Sequence, residues 1–208
     1  MLRHSAWTRA LQDDANNVLY SRFPRRRLTV EELRDTLLVI SGELDPAPGE
    51  AHPFPSEDKW SFTQHAPFAA EFETAKRSIY VMQKRNRRTP FFALFDGADP
   101  NASTAVRDVT TVPTQALYFM NDLGLHARAE KFAARILSAA ADDAARLDFA
   151  CRQLFGRTAS ADEHADALEF FRDYAVACED EPPEKRSALA WSAYARVLLS
   201  TNELLYVD

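Results

Sequence analysis

Glycine is scarce in this chain, with five residues in 208. So few leave little room for a phosphate-cradling loop, and no Gly-rich phosphate motif occurs. Nor is there a GxSxG nucleophile elbow, an HExxH zinc helix or a CxxCH haem-attachment site. Cysteine is scarcer still. Cys151 and Cys178 do not make a disulfide framework. On neighbouring antiparallel helices they would stand roughly 18 Å apart along the helix axis, beyond disulfide reach, so both read as buried free thiols. No apolar run approaches the ~18 residues that a membrane span needs. The first twenty residues carry Arg3, Arg9, Asp13, Asp14 and Asn16 and do not read as a secretory signal. A net charge of -6 argues against non-specific nucleic-acid binding, which rests on many phosphate contacts.

What is present is an ordinary globular composition, 46% hydrophobic and 27% charged, enough to bury a core. The apolar residues fall mainly at helical spacing. Thr29 with Glu32 reads as a capping box ahead of Val30, Leu33, Leu37 and Ile40, and Gly42 stops that helix. Residues 43–58 hold four prolines and read as an extended loop. Thr89-Pro90 opens a short helix through Phe95, closed by Asp96-Gly97. From Pro113 the pattern is a bundle, with helices over 113–121, 122–140 and 143–155. A fourth helix, capped by Ser160 and Glu163, carries Leu168, Phe171, Tyr174 and Cys178. The last starts at Pro182-Pro183, runs to about Ser200 and is polar only along Ser192, Arg196 and Ser200, which places it centrally.

The fold class is therefore mainly α, a helical bundle in the C-terminal half with a small β element at Arg77–Lys84, where β-branched and aromatic residues gather. Trp60, Phe62, Phe68 and Phe72 supply a second strand or pack a core. Residues 1–28 read as an N-terminal arm, the end of an upstream region, with a partial helix around Trp7–Leu19. Residues 29–208 read as one domain, made of a helix-loop-strand part (29–110) and the bundle (111–208).

Three groups of polar residues raise the question of chemistry. The basic clusters Arg25-Arg26-Arg27 and Lys84-Arg85-Asn86-Arg87-Arg88 could meet an anionic partner, or could form a solvated face paired with some of the 31 carboxylates. The oxygen-rich loop Asp96–Asn101 lacks the spacing of a calcium loop, and its Asp and Asn favour turns for local reasons. His164, flanked by acidic residues, sits in the first turn of a helix, where carboxylates complement the dipole. No catalytic, cofactor-binding or metal set emerges from these residues.

Taken in order, Arg26–Asp35, Ser41–Asp45, Arg77–Tyr80, Phe95-Asp96, Thr110–Leu117, Met120–Asp122, Phe155–Thr158 and Leu198–Asp208 resemble a known family. It is the C-terminal Psd-type domain of unknown function of large planctomycete surface proteins, often linked to a planctomycete cytochrome c module. The resemblance spans about residues 20–208. It implies an extracytoplasmic setting at the periplasm or cell surface, and partners among upstream domains of the same polypeptide or a cytochrome c-type module. Haem c would belong to those associated modules and no cofactor to this chain. The function it implies is a non-catalytic structural or interaction domain. Two alternatives stand beside it. One is a share in a composite enzyme site acting on extracellular polysaccharide or in redox chemistry. The other is an anion-binding module using Arg25, Arg26, Lys84, Arg85, Arg87 and Arg88. Among the motif residues, Arg27, Arg34, Asp35, Arg77, Arg107, Asn121 and Glu203 are expected to form one polar network. It would tie the strand region to the terminal helix, and losing one buried partner would cost about 3–5 kcal/mol.

Overall fold

The computed structural model describes residues 14–51, 56–59, 73–85 and 88–207. Its helices form where a cap and an apolar spacing coincide. At the start of α1 (Val30–Ser41) the Thr29 hydroxyl accepts from Glu32 N, and the Glu32 carboxylate accepts from Thr29 N at 2.8 Å. Gly42 ends the helix at φ 77°, a left-handed conformation that would cost a residue with a Cβ about 1–2 kcal/mol. After α2 (Pro90–Leu94) and α3 (Pro113–Asn121), Asp122 caps α4 (Leu123–Ala139) and Asp142 caps α5 (Asp143–Phe155). Each carboxylate accepts the third backbone N–H of its helix, at 2.8 and 2.9 Å. A second capping box, Ser160 with Glu163, opens α6 (Ala161–Ala177). The chain closes with α7 (Pro183–Leu199) and the single turn α8 (Asn202–Leu205).

The helix α4 is the axis of the packing. Leu125, Ala129, Phe132 and Ile136 form one stripe on it and are wholly shielded from solvent. Against α4 lies α7, in the most extensive helix pair among the described residues, and α1 makes the next. Trp191, Ala195 and Leu199 of α7 and Leu33, Leu37 and Ile40 of α1 complete the same core as Leu147 and Cys151 of α5. Most of the second half of α7 is buried as expected, with Trp191 Nε1 donating to Asp143 at 3.0 Å, but the apolar Leu189 and Val197 face solvent, so the helix is not shielded along its whole length. Both cysteines are free thiols. Cys151 is buried, and burial pushes its pKa up to about 11; Cys178 is half-buried.

Three expectations need correction. Arg77–Lys84 is not a strand. Ser78–Tyr80 forms a 3₁₀ turn, preceded by an isolated parallel bridge between Asp45 and Lys76. The reason lies in where its backbone groups go. Arg34 and Asp35, projecting from α1, take the carbonyls of Thr74 and Lys76 and the N–H of Ser78, so a β ladder is not needed to satisfy them. The sheet lies elsewhere. β1 (Arg26–Arg27) pairs antiparallel with β2 (Tyr206–Val207), and Leu28 N donates to Leu205 O at 2.8 Å beside it. This pairing ties the approach to α1 to the end of the chain.

The second correction concerns the arm. Residues 14–19 are turns and not part of a helix, because the Asp14 carboxylate captures the N–H groups of Val18 and Leu19 and Asn17 sits at φ 53°. The rest of the expected Trp7–Leu19 helix, and the Trp60, Phe62, Phe68 and Phe72 lead-in, lie outside the described residues. The third correction is on α6, where Leu168 faces solvent. Ala167, Phe170, Phe171 and Tyr174 carry the inward face; Phe170 stacks on Tyr174, and Phe170 and Phe171 pack tilted against Tyr194 and Trp191.

Phe132→Ala should lower unfolding free energy by about 3–5 kcal/mol, because a fully enclosed ring is lost at the crossing of three helices. Denaturant unfolding of the two proteins side by side checks this. A loss below about 1 kcal/mol would show that the α4 face does not carry the core.

Candidate functional site

The seven motif residues expected to form one network occupy separate places. The first cluster staples α1 to the segment before α2. Asp35 accepts from Ser78 N at 2.7 Å and Ser78 Oγ at 2.6 Å, with Arg77 Nε at 3.8 Å. Arg34 donates to Lys76 O at 2.9 Å, Ser78 Oγ at 3.2 Å and Thr74 O. The adjacent Lys76 pairs with Asp45 at 2.8 Å.

A second cluster surrounds Arg27, whose side chain is only 7% exposed. Its guanidinium donates to Thr110 O, stands 3.5 Å from Asp96 and lies over the Phe95 ring. Asp96 in turn accepts from Thr110 N and Oγ1 at 2.9 and 2.8 Å. These contacts hold Asp96 in the left-handed region at φ 60° just after α2. Nearby, Arg107 pairs with Glu31 at 2.6 Å.

Glu203 belongs to neither cluster. Both its oxygens bind Arg157, at 2.7 and 2.6 Å, and Arg157 also grips Glu163 with two bonds of 2.7 Å. Among the described residues, the Asn121 side chain donates to Leu117 O within its own helix. The expectation of one continuous network is therefore replaced by three local staples. A loop residue, Arg157, was missed as the hub of the third. Its position directly after the helix stop Gly156 and three residues before a capping box was the one local signal. The buried-pair cost expected at Glu203 is replaced too, because Glu203 and Arg157 are 45% and 36% exposed and such pairs contribute about 1 kcal/mol or less.

The basic clusters are largely engaged within the chain. Arg26 binds Glu32 with two bonds of 2.8 and 2.7 Å, Arg25 lies over the Tyr206 ring, and Arg88 donates to Gly97 O. Arg85 is exposed, and its carbonyl accepts from Asn101 at 2.7 Å. Lys84 lines a cavity, and Arg87 lies outside the described residues. In the Asp96–Asn101 loop, Asp99 accepts from Asn101 N, a local turn bond, and Asp96 faces Arg27 and Thr110. Glu163 is held by Arg157 and Ser160, while His164 faces Asp148 at 3.4 Å. Among the described residues, no group of three or more His, Cys, Asp or Glu side chains converges on a common point.

Two concave regions flank α1. One, of about 590 Å³, lies between α1, α2, the N-terminal end of α4 and residues 73–75 and 81–84. The other, of about 1000 Å³, is a groove over Val39, Leu44, Ile79 and Pro100, lined also by the paired Glu31, Glu32 and Asp35.

This architecture defines a class: a mainly α-helical domain whose polar motif residues clamp loops onto a three-helix core. Within that class, a family model described as PSD1, a protein of unknown function (DUF1553), matches residues 2–171, and the chain belongs to that family. The match begins before residue 20 and ends inside α6, short of the tail that the resemblance had included. No curated protein and no solved structure matches the chain. No described helix is long and apolar enough to cross a membrane.

Asp35→Ala should cost about 1–3 kcal/mol, since the buried Ser78 would lose the acceptor of its N–H. Thermal unfolding against the wild type measures it, and an unchanged melting temperature would remove the staple from the account. Acid provides a second check. Arg157 holds the Glu163 carboxyl down at about 2, and Arg26 does the same for Glu32. A carboxyl depressed in the folded state contributes stability above its unfolded pKa and loses it as pH falls through the folded one. Stability should therefore decline between about pH 5 and pH 2. Glu163→Gln should remove about 1 kcal/mol of that decline once solvent screening is allowed for.

Proposed function

We propose that this chain is a non-catalytic structural or interaction domain of an exported multidomain protein associated with a cytochrome c-type module. Three things support the reading. The family resemblance supplies the setting. The motif residues Arg27, Arg34, Asp35 and Asp96 are spent on intramolecular staples, which is what a framework requires.

The observation that carries the proposal is the third, an apolar stripe along α3 and its approaches. Val109, Val112, Leu117 and Met120 are all exposed, Met120 at 65%. No charged residue interrupts the sequence from Val109 to Asn121. Charged side chains normally break up a surface that must stay in water, so an uninterrupted stripe of this kind suits a protein partner. The partner of this reading is an upstream domain of the same polypeptide or the cytochrome c-type module itself.

Two measurements test it. In fractions of the source cells, an antibody to this domain should reveal a band much larger than this chain in the envelope, co-staining for haem. A cytosolic band of this chain's size without haem would overturn the setting. The double variant Leu117→Asp with Met120→Asp should keep the wild-type melting temperature and weaken binding to the upstream segment or cytochrome module at least tenfold by calorimetry. Unchanged affinity would show that the stripe is not the contact.

A further inference from the structure

Residues 14–23, ahead of β1, are built inside out. Their polar groups bond to one another. Asp14 is buried, and its carboxylate accepts from Val18 N at 2.8 Å and Leu19 N at 3.0 Å. Arg22 donates to the carbonyls of Asp14 and Ala15 at 2.6 and 2.8 Å. The Asn17 side chain exchanges two bonds with the backbone of Arg22, at 2.9 and 3.2 Å, and Tyr20 N donates to Asn17 O at 3.3 Å. The apolar side chains are left outside. Val18, Leu19 and Tyr20 are 72%, 79% and 84% exposed, and Phe23 just beyond them is 55% exposed. None of residues 15–21 carries a charge.

The backbone of this tip is held in an uncommon shape. Asn17 and Tyr20 sit at φ 53° and 54°. Asparagine tolerates the left-handed region, but a bulky residue such as tyrosine rarely enters it. Conformations of this kind persist where surrounding bonds over-determine them, and they gather at functional positions. The bonds of Asp14, Asn17 and Arg22 supply that frame. Neither the staples nor the stripe on α3 makes any use of it.

We propose that Val18, Leu19 and Tyr20 form a membrane-contact tip that dips into the interfacial layer of a lipid bilayer. Three consecutive residues this exposed offer apolar surface on every side. A flat protein face covers one side only, whereas a bilayer interface surrounds whatever enters it. The backbone N–H groups of all three residues are already satisfied inside the loop, which lowers the cost of taking this backbone out of water. Tyrosine suits the boundary between lipid and water, and the nearby Phe23 is flanked by Arg22 and Arg25, cations that lipid phosphates attract. A tip of three residues gives weak, reversible attachment, comparable with that of one short lipid chain. This contact is separate from the partner surface on α3, so either can hold without the other.

Co-sedimentation of the whole chain with phosphatidylcholine vesicles tests the tip. About half of the protein should pellet at about 1 mM lipid. Raising the salt to about 0.5 M should leave that fraction unchanged, because the contact is apolar and not a screened charge pair. Leu19→Asp with Tyr20→Asn should lower the bound fraction at least fivefold, to about a tenth of the protein, and keep the wild-type melting temperature, since Asn also accepts a positive φ. Val18→Ser with Leu19→Ser, which leaves Tyr20 in place, should lower it too and serves if the first variant unfolds. Leu117→Asp with Met120→Asp should bind vesicles as the wild type does. No pelleting above the vesicle-free control by about 10 mM lipid would overturn the proposal and leave the tip to a deep protein socket. Tip variants that pellet as fully as the wild type would overturn it as well.

Discussion

The burial of one face of α4 is the constraint on which the rest of this fold depends. Leu125, Ala129, Phe132 and Ile136 are removed from water completely, and two other helices are needed to do it. Since α7 covers one side and α1 the next, the start and the end of the domain are forced together. The β1–β2 pairing and the bond from Leu28 to Leu205 are consequences of that convergence. Two-residue strands have little stability alone. They persist here because the helices they extend are already fixed by the core.

Around this core the charged residues act as short-range fasteners. Arg34 and Asp35 stand on α1, which is locked by its own capping box and by α4. They can therefore dictate the path of residues 74–80, satisfying that segment's backbone groups in place of a sheet. Arg27 and Asp96 do the same for the chain around Thr110. Arg157 clamps the α5–α6 connection to α8 from a more exposed position, where solvent weakens the pairing. These fasteners commit the motif residues to contacts within the chain.

Much of the helical architecture was legible in the sequence. Thr29, Asp122 and Ser160 signal starts, Gly42 and Gly156 signal stops, and the spacing of Leu125, Ala129, Phe132 and Ile136 marks the buried stripe. These signals are local, depending on residues three or four apart whose geometry the helix itself sets. The candidate site was legible only in part. Arg27, Arg34 and Asp35 stood out as charged residues beside apolar positions. Their partners, Thr110, Thr74 and Ser78, are more than 35 residues away, too far for any local spacing to pair them. Arg157 was overlooked because a lone arginine after a glycine stop gives no sign of the two glutamates that fold onto it.

The sequence alone thus determined the class of structure, the limits of most helices and which of their faces turn inward, because helix propensity, capping and amphipathic spacing act within a few residues. It also excluded the common loop and metal motifs by their missing residues. Tertiary structure decided the rest. It turned Arg77–Lys84 from an apparent strand into a clamped turn, and it moved the sheet to the meeting of Arg26–Arg27 with Tyr206–Val207. It divided one supposed network into three staples. Such outcomes depend on which distant groups are brought within hydrogen-bond distance, and that is set only when the helices have packed.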